Sequence, residues 1–401
     1  MRIFFSVGEP SGDLHGANLI RALQARHGEV ECVGFGGPRM AAAGCELHQD
    51  LTQLAIMWFG RALLHLPKFF GYLRQAEEYF AEQRPDAVVL IDYPGFNWHV
   101  ARKAHEQGIP VFYYGTPQLW AWAGWRVKKM RATVDHALCK LPFEEDWLRE
   151  RGVNATYVGH PYFDELRARE LDQTFIASMQ ATDSPLVTIL PGSRTQEVKG
   201  NLRDQLIAAA KIREQVPNVR FAIASFKESQ AEFARQLVAE SGLPVDVHVG
   251  RTPELIEAAT CTMAVSGSVS LELLYHAKPT VITYRISRFA YALQRYFRKV
   301  RYITLVNLLT ATDLFPDQPA VYDAASPEDA HVLMPEYLSC EDRTDDLARH
   351  VVEWLTNDAE RESLVARMRE LASHVAHGGA SERAADYLIE HLGNSRNAEA
   401  A

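Results

Sequence analysis

The chain has 401 residues, which is long enough for two domains because single hydrophobic cores stop growing at roughly 250 to 300 residues. Its composition, 47% hydrophobic and 23% charged, is ordinary for a soluble globular protein. The formal net charge of −9 argues against general nucleic-acid binding, although it does not exclude a local basic patch.

The cysteines and the apolar segments indicate the compartment. The five cysteines are scattered and never spaced as C-x-x-C, which favours reduced thiols over a disulfide or zinc framework. No basic and apolar leader precedes the first predicted strand, and no stretch approaches the roughly 18 apolar residues of a membrane span. We therefore expect a cytoplasmic protein, or one bound to a membrane from its cytoplasmic side.

The first 160 residues alternate short apolar runs with helical patterns. The runs are rich in β-branched and aromatic residues and lack polar alternation, as strands buried on both faces do. They are RIFFSVG from residue 2, VECVGF (30–35), DAVVLI (86–91), IPVFYY (109–114) and HALCKL (136–141). Stretches between them, such as FFGYLRQAEEYFAEQ (69–83), have helical periodicity, so we predict a doubly wound parallel sheet.

A polar stretch from about 164 to 184 is predicted to be a linker, and a second alternation follows it. Its predicted strands are PLVTIL (185–190), VRFAIAS (219–225), VDVHV (245–249), CTMAVS (261–266) and PTVITY (279–284). Helical segments near 343–356, 358–376 and 381–392 come next, and then a polar tail. The sequence therefore predicts an α/β protein of two Rossmann-like, doubly wound domains with C-terminal helices.

The loop after the first strand, GEPSGD, departs from the dinucleotide-binding fingerprint. A G-x-G-x-x-G pattern needs glycines at 8, 10 and 13, where the chain has Gly8, Pro10 and Asp13. The loop carries Glu9, Ser11 and Asp13, and carboxylates accept hydrogen bonds from hydroxyls but repel phosphate. We predict that it binds the neutral hydroxyls of a sugar. The alternative for Asp13 is a helix N-terminal acid that stabilises the helix dipole.

Two loops of the second predicted domain suit a nucleoside diphosphate. PGSR, after strand PLVTIL, offers backbone N–H groups and a guanidinium whose planar donors match phosphate oxygens. SGSVSLE opens a helix whose N-terminal amides favour an anion, and its glutamate can accept hydrogen bonds from ribose. Taken alone, PGSR is equally consistent with an ordinary turn, and the glutamate of SGSVSLE with a solvated helix residue. The candidate residues are Gly192, Ser193, Arg194, Ser266, Gly267, Ser268 and Glu272.

Asp92 is the candidate catalytic residue. It directly follows the apolar run DAVVLI, and a carboxylate partly removed from water is a better proton acceptor near neutral pH. Pro94 and Gly95 predict a tight turn that directs it into the crevice at the strand ends. The alternative is a buried aspartate that caps the next helix. No D-x-D motif and no metal-ligand spacing of histidines is present, so the sequence demands no divalent cation.

Nine motifs, in order over some three quarters of the chain, together resemble the lipid-A-disaccharide synthase family. They are GEPSGD, GGPRMAAAGC (36–45), IDYPGFN, TPQLWAW (116–122), LPFEEDWL (141–148), VGHPYFDEL (158–166), LPGSRTQEV (190–198), SGSVSLE and LVNLL (305–309). The resemblance implies the GT-B glycosyltransferase fold, with two Rossmann-like domains that face a central cleft. The implied divisions are an acceptor-binding domain (1–170), a UDP-sugar-binding domain (171–370), and a helix and polar tail (371–401) that cross back to the first domain.

The resemblance also implies an activity. Members of the family transfer 2,3-diacylglucosamine from UDP-2,3-diacylglucosamine to the 6-hydroxyl of 2,3-diacylglucosamine 1-phosphate, with inversion and without metal or cofactor. They give lipid A disaccharide 1-phosphate and UDP, and they work on the cytoplasmic face of the inner membrane. The alternatives are another GT-B enzyme, such as a glycolipid transferase or a UDP-N-acetylglucosamine 2-epimerase, and a non-catalytic UDP-sugar- or lipid-binding protein. A second copy of the chain, in a homodimer, is a further candidate partner.

Residue by residue, the resemblance implies that Asp92 is the general base. Arg194 and the helix start at Ser266–Ser268 would hold the leaving diphosphate, and Glu272 the uridine ribose. Glu9 and Asn307 would be further polar groups of the site. Charge that builds on departing UDP needs such fixed cationic and dipolar partners.

The chain departs from the family pattern at three places. Arg61 stands where a glutamate is common, and Ser339 where a glutamine is common. A polar, proline-rich segment between Leu314 and Val332 is longer than usual. These changes bear on acyl-chain preference and on the acceptor.

Two basic, aromatic segments suit an anionic bilayer surface. The first, 57–74, carries Trp58, Phe59, Phe69 and Phe70 among only basic charges, and we predict that these residues contact the inner membrane. The second, 285–301, mixes aromatics with arginines and has no acids, although phosphate binding is an equal explanation for some of them. The alternative for both segments is an amphipathic helix packed on the core.

Overall fold

The structure, a computed structural model, describes residues 1–52 and 66–399, with side chains for 1–52 and 67–393. The described residues form two compact units. The first contains the residues up to Glu165 and those from His377 onward, and the second is Leu166–Ala376. Each unit is built around one parallel sheet.

The sheet of the first unit has seven described strands. They are β1 (Arg2–Val7), β2 (Glu31–Gly36), β3 (Cys45–Asp50), β4 (Ala87–Ile91), β5 (Val111–Tyr114), β6 (His136–Cys139) and β7 (Ala155–Tyr157). Their order is β3-β2-β1-β4-β5-β6-β7, and every neighbouring pair is parallel. The central strands β4 and β5 are buried along their whole length, which explains their uniformly apolar sequences. The edge strands β3 and β7 are partly exposed, and the apolar runs of the sequence did not indicate them.

Helices cover this sheet, and one of them comes from the C-terminal end of the chain. They are α1 (Pro10–His27), α2 (Pro38–Ala42), α3 (Leu66–Gln83), α4 (Pro94–Glu106), α5 (Leu119–Trp122), α6 (Val127–Thr133), α7 (Pro142–Arg149), α8 (Pro161–Ala168, at the junction of the units) and, after the second unit, α18 (Ala380–Glu399). Ala384, Ala385 and Leu388 of α18 are buried in the core that α1 and β1 share. Asp164 accepts hydrogen bonds from the backbone N–H groups at Gly379, Ala380 and Ser381 (2.6, 3.2 and 3.0 Å), and so caps α18.

The second unit has a parallel sheet of six described strands. They are β8 (Leu186–Leu190), β9 (Arg220–Ser225), β10 (Val245–Val249), β11 (Cys261–Ala264), β12 (Thr280–Arg285) and β13 (Glu336–Ser339). Their order is β10-β9-β8-β11-β12-β13. The helices are α9 (Gln173–Met179), α10 (Thr195–Gln215), α11 (Glu228–Ser241), α12 (Thr252–Ala258), α13 (Val269–Tyr275), α14 (Arg288–Phe297), α15 (Leu305–Thr310), α16 (Thr344–Thr356) and α17 (Asp358–Val375). The stretch predicted as a linker contains α9.

Both sheets reverse their strand order at one place. In the first unit the reversal lies between β1 and β4, and in the second between β8 and β11. Ligands of doubly wound sheets bind beyond the carboxyl ends of the strands at such a switch point. The loops that carry the predicted site residues therefore start at the switch point of each sheet.

Within residues 1–52 and 66–399, no helix combines the length and the apolar character that crossing a membrane requires.

Candidate active site

Asp92 occupies a strained position at the carboxyl end of β4. Asp92 and Tyr93 both have a φ of +46°, in the left-handed region that non-glycine residues rarely adopt. The Asp92 carbonyl accepts hydrogen bonds from Asn97 Nδ2 (2.8 Å) and Tyr113 Oη (2.7 Å), and Ser6 Oγ donates to Asn97 Oδ1 (2.7 Å). These buried contacts over-determine the turn, so the position of the Asp92 carboxylate is fixed by the fold.

Lys140 is the charged partner of Asp92. It follows β6, and its Nζ lies 3.2 Å from Asp92 Oδ1, with both side chains largely buried. Burial opposes the charge of Lys140, but Asp92, Glu144 and Glu9 outweigh it and raise the pKa of the ammonium group. Lys140 therefore stays positive and compensates the charge of the carboxylate.

Two histidines, the buried His15 and the partly buried His160, act electrostatically with this ion pair. Burial lowers the pKa of His15 on α1. Asp92 raises this pKa and Lys140 lowers it, both by less than burial does. Burial lowers the pKa of His160 strongly, with smaller contributions from Lys140 and His15. Both imidazoles are therefore neutral at pH 7, and His160 Nδ1 accepts a hydrogen bond from the backbone N–H of Tyr162 (3.2 Å).

Glu144 joins two of the sequence motifs. Its buried carboxylate accepts hydrogen bonds from Trp120 Nε1 (2.8 Å) in TPQLWAW and from the backbone N–H groups of Lys140 and Leu141 (3.0 Å each). Burial raises the pKa of Glu144, although these hydrogen bonds act to lower it. The carboxylate thus fixes the backbone from which the Lys140 side chain extends.

The GEPSGD loop packs tightly against the Asp92 turn. A Cβ at Gly8 would lie 2.2 Å from the Tyr93 ring, and one at Gly12 would lie 2.9 Å from Val7 and 3.7 Å from Asp92 Oδ2. Glycine is therefore required for the first turn of α1 to approach the carboxylate. Glu9 is partly exposed in this loop and acts electrostatically on Lys140, and Ser11 is exposed on the first turn.

Asp13 has partners inside the protein. Its buried carboxylate accepts hydrogen bonds from the backbone N–H groups of Gly37, Arg39 and Met40, each at 3.0 Å. It caps α2, the next helix along the chain, rather than only its own helix. These contacts account for Asp13 and for the glycine at 37, and they do not support a direct contact with substrate, which stays a prediction.

In the second unit, the PGSR loop is closed by a carboxylate. Gly192 has a φ of +119°, and a Cβ there would lie 2.5 Å from Glu197 Cβ. Glu197 accepts hydrogen bonds from the backbone N–H groups of Ser193 and Arg194 and from Arg194 Nη1, each at 3.1 Å. Ser193 and Arg194 are exposed. A phosphate at these amides would therefore compete with the Glu197 carboxylate.

The SGSVSLE loop combines exposed and buried parts. Gly267 and Ser268 are exposed at the start of α13, and Ser266 Oγ donates to the carbonyl of Ile303 (2.7 Å). Glu272 is buried, and Arg169 Nη1 donates to its Oε1 at 2.5 Å. The predicted ribose acceptor is thus oriented by an arginine that the sequence analysis did not identify.

Asn307 is buried and holds α15 in place. Its Nδ2 donates to the Met334 carbonyl (2.7 Å) and to Glu336 Oε2 (3.0 Å), and its Oδ1 accepts from the Met334 N–H (3.1 Å). Glu336 also accepts from the backbone N–H groups of Ile303 (2.7 Å) and Thr304 (3.0 Å). Direct contact of Asn307 with substrate stays a prediction that these internal contacts do not support.

The residues predicted to contact the membrane differ in their surroundings. Trp58 and Phe59 lie outside the described residues. Phe69 packs edge-on against Phe96 and His99, with ring centroids 5.0 and 5.4 Å apart, whereas Phe70 is exposed. Of the two described residues, only Phe70 belongs wholly to the surface.

The structure brings the candidates together within each unit. In the first, Asp92, Glu9 and the first turn of α1 share the switch point with Lys140, His15 and His160, which the sequence analysis missed. In the second, PGSR and SGSVSLE flank the switch point between β8 and β11. Lys140 could have been identified from the sequence by its position directly after a buried strand.

Comparison with known proteins identifies relatives over nearly the full length. The family model described as "Lipid-A-disaccharide synthetase" matches residues 3–372. The lipid-A-disaccharide synthase of Myxococcus xanthus (strain DK1622) is 32% identical over 392 residues, which cover 98% of this chain and 97% of that one. The enzyme of the same name from Methylobacillus flagellatus is 35% identical over 315 residues, 77% of this chain and 83% of the relative.

Solved structures with low identity share the fold. The UDP-GlcNAc 2-epimerase from Neisseria meningitidis, bound to UDP-GlcNAc, has a TM-score of 0.61 at 13% identity and covers 97% of this chain and 100% of that one. Acinetobacter baumannii MurG has a TM-score of 0.56 at 12% identity, with 97% and 99% covered. These likenesses show the fold alone, and they confirm the prediction of a GT-B type α/β protein with two Rossmann-like domains and C-terminal helices.

Proposed function

The chain belongs to the lipid-A-disaccharide synthase family, and from this premise we propose how its residues carry out the reaction. It is a glycosyltransferase of lipid A biosynthesis, which transfers 2,3-diacylglucosamine from UDP-2,3-diacylglucosamine to the 6-hydroxyl of 2,3-diacylglucosamine 1-phosphate. The observation that carries this assignment is the match over residues 3–372, which contains every candidate residue at the two switch points.

Asp92 is the general base of the proposed mechanism. Its carboxylate takes the proton of the acceptor's 6-hydroxyl while that oxygen attacks the anomeric carbon of the donor from the face opposite the diphosphate. The bond between the anomeric carbon and the phosphate oxygen breaks, UDP leaves with the bonding electrons, and the anomeric configuration inverts. The hydrogen bonds to the Asp92 carbonyl and the Lys140 contact support this role, because they hold the carboxylate in one orientation.

The second unit is proposed to stabilise the leaving group. The Arg194 guanidinium and the exposed backbone at Gly267 and Ser268 face the charge that develops on the diphosphate. When the phosphate binds, it displaces Glu197 from the amides of the PGSR loop. Glu272, oriented by Arg169, accepts hydrogen bonds from the ribose hydroxyls.

The protein is further proposed to be peripheral on the cytoplasmic face of the inner membrane. Both substrates carry acyl chains, and the exposed Phe70 beside Lys68 and Arg74 supports contact with an anionic surface.

The direct test is product formation in detergent micelles. The purified protein is incubated with UDP-2,3-diacylglucosamine and 2,3-diacylglucosamine 1-phosphate, and the products are identified by mass spectrometry and their linkage by NMR. We expect equal amounts of UDP and of a β-1,6-linked disaccharide 1-phosphate, and no UDP when the acceptor is left out. Conversion of the donor to its C2 epimer without acceptor would contradict the proposal.

A further inference from the structure

The helix α14, in the second unit, exposes an apolar face that nothing in the described structure covers. None of its ten residues is buried. It nevertheless carries four of the nine large hydrophobic side chains that are exposed in the described residues. Monomeric proteins rarely concentrate exposed apolar surface in this way unless the surface binds something.

The four side chains form one stripe. Phe289, Leu293, Tyr296 and Phe297 are spaced i, i+4, i+7 and i+8, and they are 77%, 45%, 81% and 52% exposed. Residues at this spacing lie on one side of a helix. Tyr291 and Gln294, on the opposite side of the helix, and Arg298, just after its end, are partly buried, so α14 presents its apolar side outward.

Basic residues lie beside the stripe. The segment 285–301 contains six basic residues and no acidic residue. Arg285 and Arg301 pair with Asp204 and Asp329 respectively. Arg288, Arg295 and Lys299 are exposed and form no ion pair with the described residues. An apolar stripe with uncompensated cations along one edge complements the acyl and headgroup layers of an anionic bilayer.

The proline-rich segment between Leu314 and Val332 holds the helix in this orientation. Arg298 Nη2 donates to the Pro319 carbonyl at 2.5 Å, and Asp329 accepts hydrogen bonds from Arg301 Nε and Nη2, both at 2.9 Å. Tyr302 Oη also donates to Asp329 Oδ1 (2.6 Å). At the other end, Ser287 Oγ accepts from the Ala290 N–H and caps the helix. The stripe is therefore preformed.

We propose that α14 is a bilayer-binding helix, which lies in the headgroup boundary of an anionic membrane with Phe289, Leu293, Tyr296 and Phe297 inserted. Arg288, Arg295 and Lys299, on one side of the stripe, bind lipid phosphates. The proposal deepens the proposed function, since acylated substrates reside in such a membrane, and it gives the second unit its own membrane contact. A second copy of the chain is a poorer occupant, because a symmetric contact would bring two unpaired basic patches together.

The first test is co-sedimentation with vesicles of phosphatidylethanolamine and phosphatidylglycerol. For Phe289→Ser/Tyr296→Ser we expect at least about a tenfold weaker partition than for the wild type. The matched control, Ile207→Ser/Phe226→Ser, removes side chains of the same unit that are 42% and 70% exposed, and it should bind as the wild type does. Equal binding of the stripe variant and the wild type overturns the proposal.

A charge reversal separates attraction from insertion. Arg288→Glu/Lys299→Glu should weaken vesicle binding by about tenfold or more at low salt, and the deficit should shrink in high salt because exposed charges are screened over about 10 Å at 0.1 M. The stripe variant should keep its deficit at every salt concentration. A stripe variant whose deficit vanishes in high salt would contradict insertion.

A fluorescent probe locates the contact. Burial raises the pKa of the Cys32, Cys45 and Cys261 thiols to about 12 and that of Cys139 still higher, so Cys340 is the cysteine to remove before labelling. In a Cys340→Ser background, Tyr296→Cys and Phe226→Cys are labelled with nitrobenzoxadiazole. Vesicles should shift the emission to the blue at 296 only, with quenching by spin-labelled lipid. The same response at both positions overturns the assignment.

Two further measurements separate this proposal from its alternatives. If the wild type makes no disaccharide but the stripe variant loses vesicle binding, the proposed function is wrong and the membrane contact stands. If the stripe variant binds vesicles normally and turns over in micelles, the membrane contact at α14 is wrong and the proposed function stands.

Lost UDP affinity of the stripe variant in calorimetry would assign α14 to the nucleotide site instead. A wild-type dimer that the stripe variant dissolves, with vesicle binding unchanged, would assign it to a second copy.

Discussion

The backbone at Asp92 and Tyr93 is strained. Two successive non-glycine residues in the left-handed region cost about 1 to 3 kcal/mol each. In this conformation the Asp92 carbonyl accepts hydrogen bonds from Asn97 and Tyr113. Strain retained in this way occurs at functional sites, where a side chain must have one position.

Asp92→Asn should fold normally and lose at least about a hundredfold in turnover, the scale expected when a positioned base is removed. Turnover in micelles, UDP affinity and melting temperature check this expectation. The matched control is Asp86→Asn, just before the opposite end of the same strand, where the carboxylate accepts the N–H of Arg2 (2.6 Å). It should retain turnover, and a loss of less than about threefold in Asp92→Asn would sink the assignment.

Lys140→Met should leave the carboxylate without its cation and lower turnover by about tenfold, while Lys140→Arg retains most of it. Rescue of turnover by the arginine variant is the result that a purely structural role for Lys140 would not give. Turnover in micelles, UDP affinity and melting temperature of both variants measure it. Wild-type turnover in Lys140→Met, or an equal loss in both variants, contradicts the pairing as a functional feature.

Arg194→Ala should weaken UDP binding by about tenfold or more, because a charge-assisted hydrogen bond to phosphate is lost. Titration calorimetry with UDP and the Michaelis constant for the donor measure the effect. Arg203→Ala, which removes an exposed arginine of α10 from its pair with Glu240, is the control and should bind normally. Unchanged binding and kinetics in Arg194→Ala would reduce PGSR to a turn.

Among the elements, α15 depends on a buried acid with an unusual pKa. Burial raises the pKa of Glu336 to about 7. The hydrogen bonds that its carboxylate accepts from the backbone just before α15 act to lower this pKa, but burial outweighs them. The folded state therefore binds this proton more tightly than the unfolded state does. The stability that the protonated form contributes, at most about 3 kcal/mol, is present below about pH 4.5 and is lost as the pH rises to about 7.

The measurement compares wild type with Glu336→Gln by chemical denaturation between pH 4.5 and 7.5. Burial lowers the pKa of His350 to about 4, which gives the opposite slope at the acid end, so the difference between the two proteins is the informative quantity. We expect the free energy of unfolding of wild type to fall relative to the variant as pH rises. Parallel curves would mean that Glu336 does not titrate in this range.

How much the sequence predicted depended on where each element lies. Central strands such as β4 and β5 are buried on both faces, so their apolar runs identified them. The edge strands β3 and β7 carry polar residues because one side meets water, and apolar runs could not reveal them. Asp92 was predicted as the base from its place directly after a strand, and this role stays a prediction. Lys140 and Arg169 depend on contacts between residues 48 and 103 positions apart, which no local pattern encodes.

For the whole molecule, activity should survive EDTA. The sequence has no D-x-D motif, and the described residues contain no group of three metal-ligating side chains. The proposed stabilisation of the diphosphate by Arg194 and backbone N–H groups needs no cation. Turnover before and after chelation, with magnesium added back, decides the matter. Complete loss that magnesium restores would contradict the mechanism.

The packing of α18 into the first unit has a consequence for the order in which the protein matures. A ribosome delivers β1 to β7 first, yet the core around α1 is closed by Ala384, Ala385, Leu388 and Leu392. The second unit, 166–376, can emerge and fold while the first still exposes the apolar groove that α18 fills. The two units are therefore completed in the reverse of the order in which their synthesis begins. The half of the chain that carries Asp92 is finished last, after the half that carries Arg194 has been synthesised.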